Sequence, residues 1–197
     1  MIRAVRKPVE PAACYEDLGS DAARAGQARA RAEGNEYDEI AYTFAENAGG
    51  RVTGKHFKID HISVDGLVEG PNGNRFWLLA HGTVDTDGRQ AGFRRTDTIR
   101  KAGSAASQLR QRFGGFPVLV LTSNLPTSPA ARGWLRGHRN DFFDVIATTG
   151  DLVGFHRLHR YLTTAPPPMV RERADWCDPT GQLSLDSILT TDVERLY

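Results

Sequence analysis

Cysteine is scarce in this chain. Its 197 residues include two, Cys14 and Cys177, far apart and without metal-ligand spacing. A disulfide framework is therefore not expected, and a reducing, cytoplasmic setting fits. Long apolar runs are also missing: none approaches the roughly 18–20 residues that a helix needs to cross a bilayer. The opening segment, MIRAVRKPVEPAAC, has basic residues but no apolar stretch behind them, which argues against a secretory signal. Neither sign of charge dominates, since 25 Lys and Arg face 24 Asp and Glu for a net charge of +1. Bulk charge thus gives no mandate for nucleic acid. No P-loop, paired-glycine fingerprint, zinc spacing or His-Glu-x-x-His occurs. Ser123 sits beyond an apolar strand, where ligands often meet α/β sheets. Its surroundings, Leu121 to Leu125, are not the Gly-x-Ser-x-Gly elbow that a serine nucleophile needs.

What remains is enough for one domain with a real core: 40% of residues are hydrophobic and 25% charged. The charge is unevenly placed. Glu33, Glu36, Asp38, Glu39 and Glu46 fall in a stretch with no Lys or Arg. Arg94, Arg95, Arg100, Lys101, Arg110 and Arg112 face Asp97 alone, with Arg132, Arg136, Arg139, Arg157 and Arg160 further on. Such asymmetry can build a basic face on a neutral protein, or can simply be solvated helix surface.

Residues 1–19 read as a polar arm and 20–48 as a helix, with Tyr37, Ile40, Ala41, Phe44, Ala45 and Ala48 on one face. Gly49-Gly50 stops it. Strands follow at Arg51–Lys55, Phe57–Val68 and Arg75–Gly82, the last two joined through Glu69 to Asn74 as an antiparallel hairpin. After a loop at 83–95, Thr96-Asp97-Thr98 offers cap chemistry for a helix to about Phe113. Its inner face is Ala102, Ala105, Ala106, Leu109 and Phe113. Phe116–Leu121 is apolar throughout, as in the buried middle of a sheet. A helix near Pro129–Arg136, a strand at Phe143–Thr148 and a helix at Leu152–Leu162 complete a domain over 20–162. Residues 163–197 read as a docking tail with a proline run at 166–168, Trp176, Leu183, Leu185 and Ile188. The order is α, β, β, β, α, β, then α, β, α, which predicts an α/β fold with a mixed sheet and flanking helices.

That order resembles the PD-(D/E)XK nuclease superfamily, and within it the bacterial restriction-endonuclease-like members. Three segments carry the likeness over roughly Asp21 to Leu162: Phe57 to Ile62 around Asp60, Phe76 to Gly82 around His81, and Arg95 to Lys101. The resemblance implies an αβββαβ core with added C-terminal α/β elements, and a hydrolase acting on DNA with Mg²⁺ or Mn²⁺ held by carboxylates. It assigns Asp60 as the metal-binding acid and Glu36 as the acid of the first helix. It puts the acid of the Glu-x-Lys element at Leu79 and its lysine at His81, neither of which has the required chemistry.

Three readings therefore stay open. In the first, the domain is a degenerate nuclease kept for DNA binding or assembly. Alternatively it is an active variant with migrated ligands: Lys101 as the amine, His81 as ligand or base, and Asp85, Asp87 or Asp97 as the second acid. Asp65 is the fallback should Asp60 be displaced, though beside Gly66 it also suits a turn. In the third reading the chain does not have this fold and the residues are structural, Asp97 an N-cap and His81 a hydrogen-bonded histidine. Arg94, Arg95, Arg100, Arg110 and Arg112 are the candidates for backbone contact with DNA, which positions without reading sequence. A homodimer suits duplex cleavage. A rival from another class is a non-catalytic subunit of a larger complex, docking through its tail. Defence against foreign DNA follows from the resemblance alone, and no membrane partner is expected.

Overall fold

The computed structural model describes residues 34–84, 92–113 and 115–164. The arm at 1–19, residues 20–33 of the first helix, Asp85 and Asp87, and the tail from 165 with its proline run and Trp176 lie outside them.

Within the described residues the first helix, α1, covers 34–47 and buries Tyr37, Ala41, Tyr42 and Ala45, with Ala48 buried in the turn that follows. The buried stripe is turned slightly from the expected one: Tyr42 is inside and Ile40 is 40% exposed. Gly49, at φ 92°, ends the helix in the left-handed conformation that glycine adopts freely. Three strands then form a meander: β1 (Arg51–Ile59), β2 (Ile62–Glu69) and β3 (Arg75–His81), paired antiparallel in sequence order. The expected strand over Phe57–Val68 is in fact two strands. Asp60 and His61 form a two-residue turn between the paired Ile59 and Ile62, with Asp60 at φ 54°. The apolar phase marks the break, because Phe57 and Ile59 fall on odd positions while Ile62 and Val64 fall on even ones.

Helix α2 (Thr96–Phe113) crosses over to β4 (Val118–Thr122), which lies parallel to β3. Helix α3 (Pro129–Gly137) leads to β5 (Asp144–Ala147), parallel to β4, and α4 (Leu152–Thr163) follows. Both later helices start on caps. The Ser128 side chain accepts the Ala131 N–H at 3.2 Å, and Asp151 Oδ1 accepts the Gly154 N–H at 2.7 Å. The result is a five-stranded mixed sheet in the order β1-β2-β3-β4-β5, flanked by helices.

Alternation along β4 separates two cores. Leu119 and Leu121 join Phe76, Leu78 and Ala80 under α1 and α4. Val118 and Val120 join Leu79 under α2 and α3. Helix α2 lies close because its inner face is small: a Cβ on Gly103 would overlap the His138 ring. Phe113, expected inside, is 37% exposed. The first core also holds a buried network: Arg157 Nε donates to Asp144 Oδ2 at 2.9 Å, and the Tyr161 hydroxyl donates to the same oxygen at 3.1 Å.

β2 does not keep one face to one core. Val68 belongs to the core under α1 and α4, whereas Ile62 and Val64 belong to the core under α2. These residues are an even number of positions apart, so an untwisted strand would place them together. β2 therefore rotates between Val64 and Val68. Its register with β3 stops at the same place, with Gly66↔Leu78 the last pair, while β3 runs on beside β4 to His81. The two strands part like a wedge, and Asp65 stands in the opening.

Candidate metal centre and groove

Asp65 replaces the missing ladder partner: its Oδ2 accepts the Ala80 N–H at 2.8 Å, and its own carbonyl accepts the Tyr42 hydroxyl at 2.5 Å. Across the wedge, α1 contributes Asp38, which is buried, with an exposure of 8%. β1 contributes His56, which lies between the paired Lys55↔Gly66 and Phe57↔Val64 and so faces Asp65. His56 adopts φ 48°, a conformation disfavoured by about 1–2 kcal/mol for a residue with a Cβ. Such outliers persist where the surroundings over-determine them. Here the ring is held edge-on to Tyr42, its Nε2 3.3 Å from the Tyr42 hydroxyl and its Nδ1 3.6 Å from Asp38. One ligand atom from each of Asp38, His56 and Asp65 lies within 4.8 Å of the others.

The electrostatics fit two carboxylates confined together. Burial, and then the Asp65 charge, raises the Asp38 pKa to about 6, with His56 opposing and Glu39 adding a little. Burial likewise raises Asp65, offset by the Ala80 hydrogen bond and by His56. A cation between the two carboxylates would relieve both. Two hard oxygen donors suit Mg²⁺ or Mn²⁺, and the imidazole is compatible with the second. The donor set thus fits a divalent cation.

On the α2 side the wedge opens into a groove of about 370 Å³ lined by His61, Ser63, Asp65, His81, Lys101 and Gln108, among others. His81 ends β3 and stacks on Phe93 with 6.2 Å between ring centres. Burial, with Lys101 second, pulls its pKa down to about 4, so it is a neutral imidazole at pH 7. Its Nε2 is buried and has no hydrogen-bond partner among the described residues. Lys101 is exposed at the groove edge.

The structure therefore brings His81, Lys101 and Asp65 together and sets Asp60 and Glu36 elsewhere. Asp60, expected at the start of a strand, is in the exposed turn and pairs with Arg112 at 3.5 Å. Glu36, expected to face the sheet, points to solvent because α1 turns Tyr37 and Asp38 inward instead. Neither lines the groove or joins the three-residue cluster. Asp97 pairs with Arg95 at 2.9 Å. Ser123 is buried beneath Gly92, with Asn124 donating to its hydroxyl at 3.3 Å. The five arginines do not form one continuous face. Arg100 covers the Trp134 ring at 4.9 Å, and Arg110 donates to the Asn140 carbonyl on the α3 side. Arg112 lies on the groove side, and Arg94 and Arg95 are exposed just before α2.

Asp38 and His56 were missed by sequence reasoning. Asp38 left a signal, an acid in the stripe that continues through Ala41, Tyr42 and Ala45. His56 left none, since its placement depends on the rotation of β2.

The chain matches no protein-family model, no curated protein and no solved structure. Among the described residues no helix is long and apolar enough to cross a membrane.

Proposed function

We propose that this chain is a divalent-cation-dependent phosphodiester hydrolase acting on DNA, built on a restriction-endonuclease-like core with its ligands displaced from the motif positions. The observation that carries this is the wedge between β2 and β3, where Asp38, His56 and Asp65 converge from three different elements. These three residues would hold the cation. When bound, it supplies positive charge that polarises a phosphodiester and favours ionisation of the attacking water. The Ala80 N–H orients Asp65 by occupying Oδ2 and leaves Oδ1 for the cation. Lys101 neutralises a phosphate entering the groove and takes the place of the absent motif lysine. His81 is held neutral, so it adds no charge to the groove wall.

The test is nicking of supercoiled plasmid with Mg²⁺ or Mn²⁺, run beside thermal shifts with each ion. Nicking and an ion-dependent shift by wild type, both lost in Asp65→Asn and retained in Asp60→Asn, are the expected result. Loss with Asp60→Asn and retention with Asp65→Asn would overturn the assignment.

A second reading is favoured by Leu79, which is 1% exposed in the core at the position where the resemblance wants an acid. In it the scaffold binds DNA, or docks in a larger complex, without cutting. Folded wild type that neither nicks nor shifts with either ion, yet retards DNA, would select it.

A further inference from the structure

We propose that the groove along α2 seats one sugar–phosphate strand of a nucleic acid, and that Asp60 guards its outer end by competing for Arg112. The identity of the strand rests on the phosphodiester reading above. Its path rests on different residues. Lys101, Ser104, Gln108 and Arg112 recur at i, i+3, i+7 and i+11, so they stack on one face of α2. The first three line the groove. His61 fastens the β1–β2 turn to the same face, with its Nε2 3.1 Å from Gln108 Oε1. At about 1.5 Å per residue the stripe runs about 16 Å, long enough for several successive phosphates. It offers a cation at each end and, between them, the Gln108 amide, which donates to Ser104 Oγ at 3.2 Å, a bond that a backbone phosphate exchanges for its own without reading bases.

Asp60 stands at the outer end. Its side chain is 58% exposed, that of Arg112 is 49% exposed, and they meet at 3.5 Å. A pair so open to water is weak and exchangeable. An arriving phosphate replaces the Asp60 carboxylate on Arg112, so the guard acts through Arg112. This gives Asp60 a role opposite in sign to that of a metal ligand: removing its charge strengthens binding. Asparagine is the suitable replacement, because position 60 is in the left-handed region and asparagine, unlike alanine, tolerates it.

The experiment is fluorescence anisotropy with a labelled 12-nucleotide strand, single or in duplex, in EDTA at low salt. Chelation keeps cation binding and cleavage out of the measurement. Asp60→Asn should bind about two- to fivefold tighter, the scale of one exposed charge pair. Arg112→Gln should bind weaker with a shallower salt dependence. The double variant should match Arg112→Gln alone. Whichever oligonucleotide binds tighter identifies the source of the strand. Weaker or unchanged binding by Asp60→Asn overturns the guard, as does equal tightening in the Arg112→Gln background. Folded wild type that binds neither oligonucleotide overturns the strand path itself. Loss of the Asp65-dependent ion shift and nicking is a separate failure, read in the other assays.

Discussion

Replacing Asp38 by asparagine should stabilise the protein in the absence of divalent ions, and only at neutral or alkaline pH. The folded Asp38 carboxyl has its pKa raised from 3.8 to about 6, chiefly by burial and then by Asp65. A raised acid pKa means that the folded state holds the proton more tightly than the unfolded chain. Stability therefore falls as pH rises from about 4 to about 6, and the full penalty is present above that. At roughly 1.4 kcal/mol per tenfold change in proton affinity the ceiling is about 3 kcal/mol. The carboxylate borders half-exposed His56, and solvent screening there reduces the expected effect to about 1–2 kcal/mol. For a domain of this size that is a rise in Tm of about 2–8 °C. The assay is thermal or urea unfolding of both proteins in EDTA from pH 4.5 to 8. The difference between them reports Asp38 together with the groups coupled to it, Asp65 and His56. The advantage of Asp38→Asn should be greatest at pH 8 and shrink toward pH 4.5. Adding Mn²⁺ at pH 8 should reverse the order, because an ion bound at 100 times its Kd stabilises wild type by about 2.7 kcal/mol. A variant less stable than wild type by the same margin at every pH would refute the reasoning: Asp38 would then be a satisfied structural acid, not a strained charge.

Arg157→Leu should leave Asp144 buried without its cation and destabilise by about 3–5 kcal/mol, whereas Asp144→Asn combined with Arg157→Leu should recover much of the loss. Urea unfolding of the two variants checks this, and a single variant within about 1 kcal/mol of wild type would contradict the burial of the pair. His81 has its folded pKa depressed to about 4. Below about pH 6.5 the unfolded chain takes a proton that the folded chain refuses, so wild type loses stability as pH falls toward 4. His81→Gln lacks this loss, and its stability relative to wild type should improve over that window. An unchanged difference would show a solvated imidazole.

The order of elements was legible in the sequence because each rests on local chemistry. The helices carry a 3.6-residue apolar period, Gly49-Gly50 marks a stop, and the unbroken apolar run of β4 is what a doubly covered strand requires. The cluster of basic residues over 94–112 was equally local, but tertiary packing splits it among several faces. His81 was singled out by the resemblance, which puts it at the lysine of the Glu-x-Lys element, and Lys101 by its place on the helix after the hairpin. The turn at Asp60 was visible only as a slip in apolar phase and was read through, which made a turn residue look like a strand-borne ligand. What tertiary structure alone decided is where the acids meet. Asp38 and Asp65 are 27 positions apart, and His56 lies on a third element. They converge because β2 rotates between Val64 and Val68 and parts from β3, an event no periodicity encodes. A period-2 pattern assigns each residue to a face of a strand. The rotation changes which face that is, so that one strand contributes both to the core under α1 and α4 and to the core under α2.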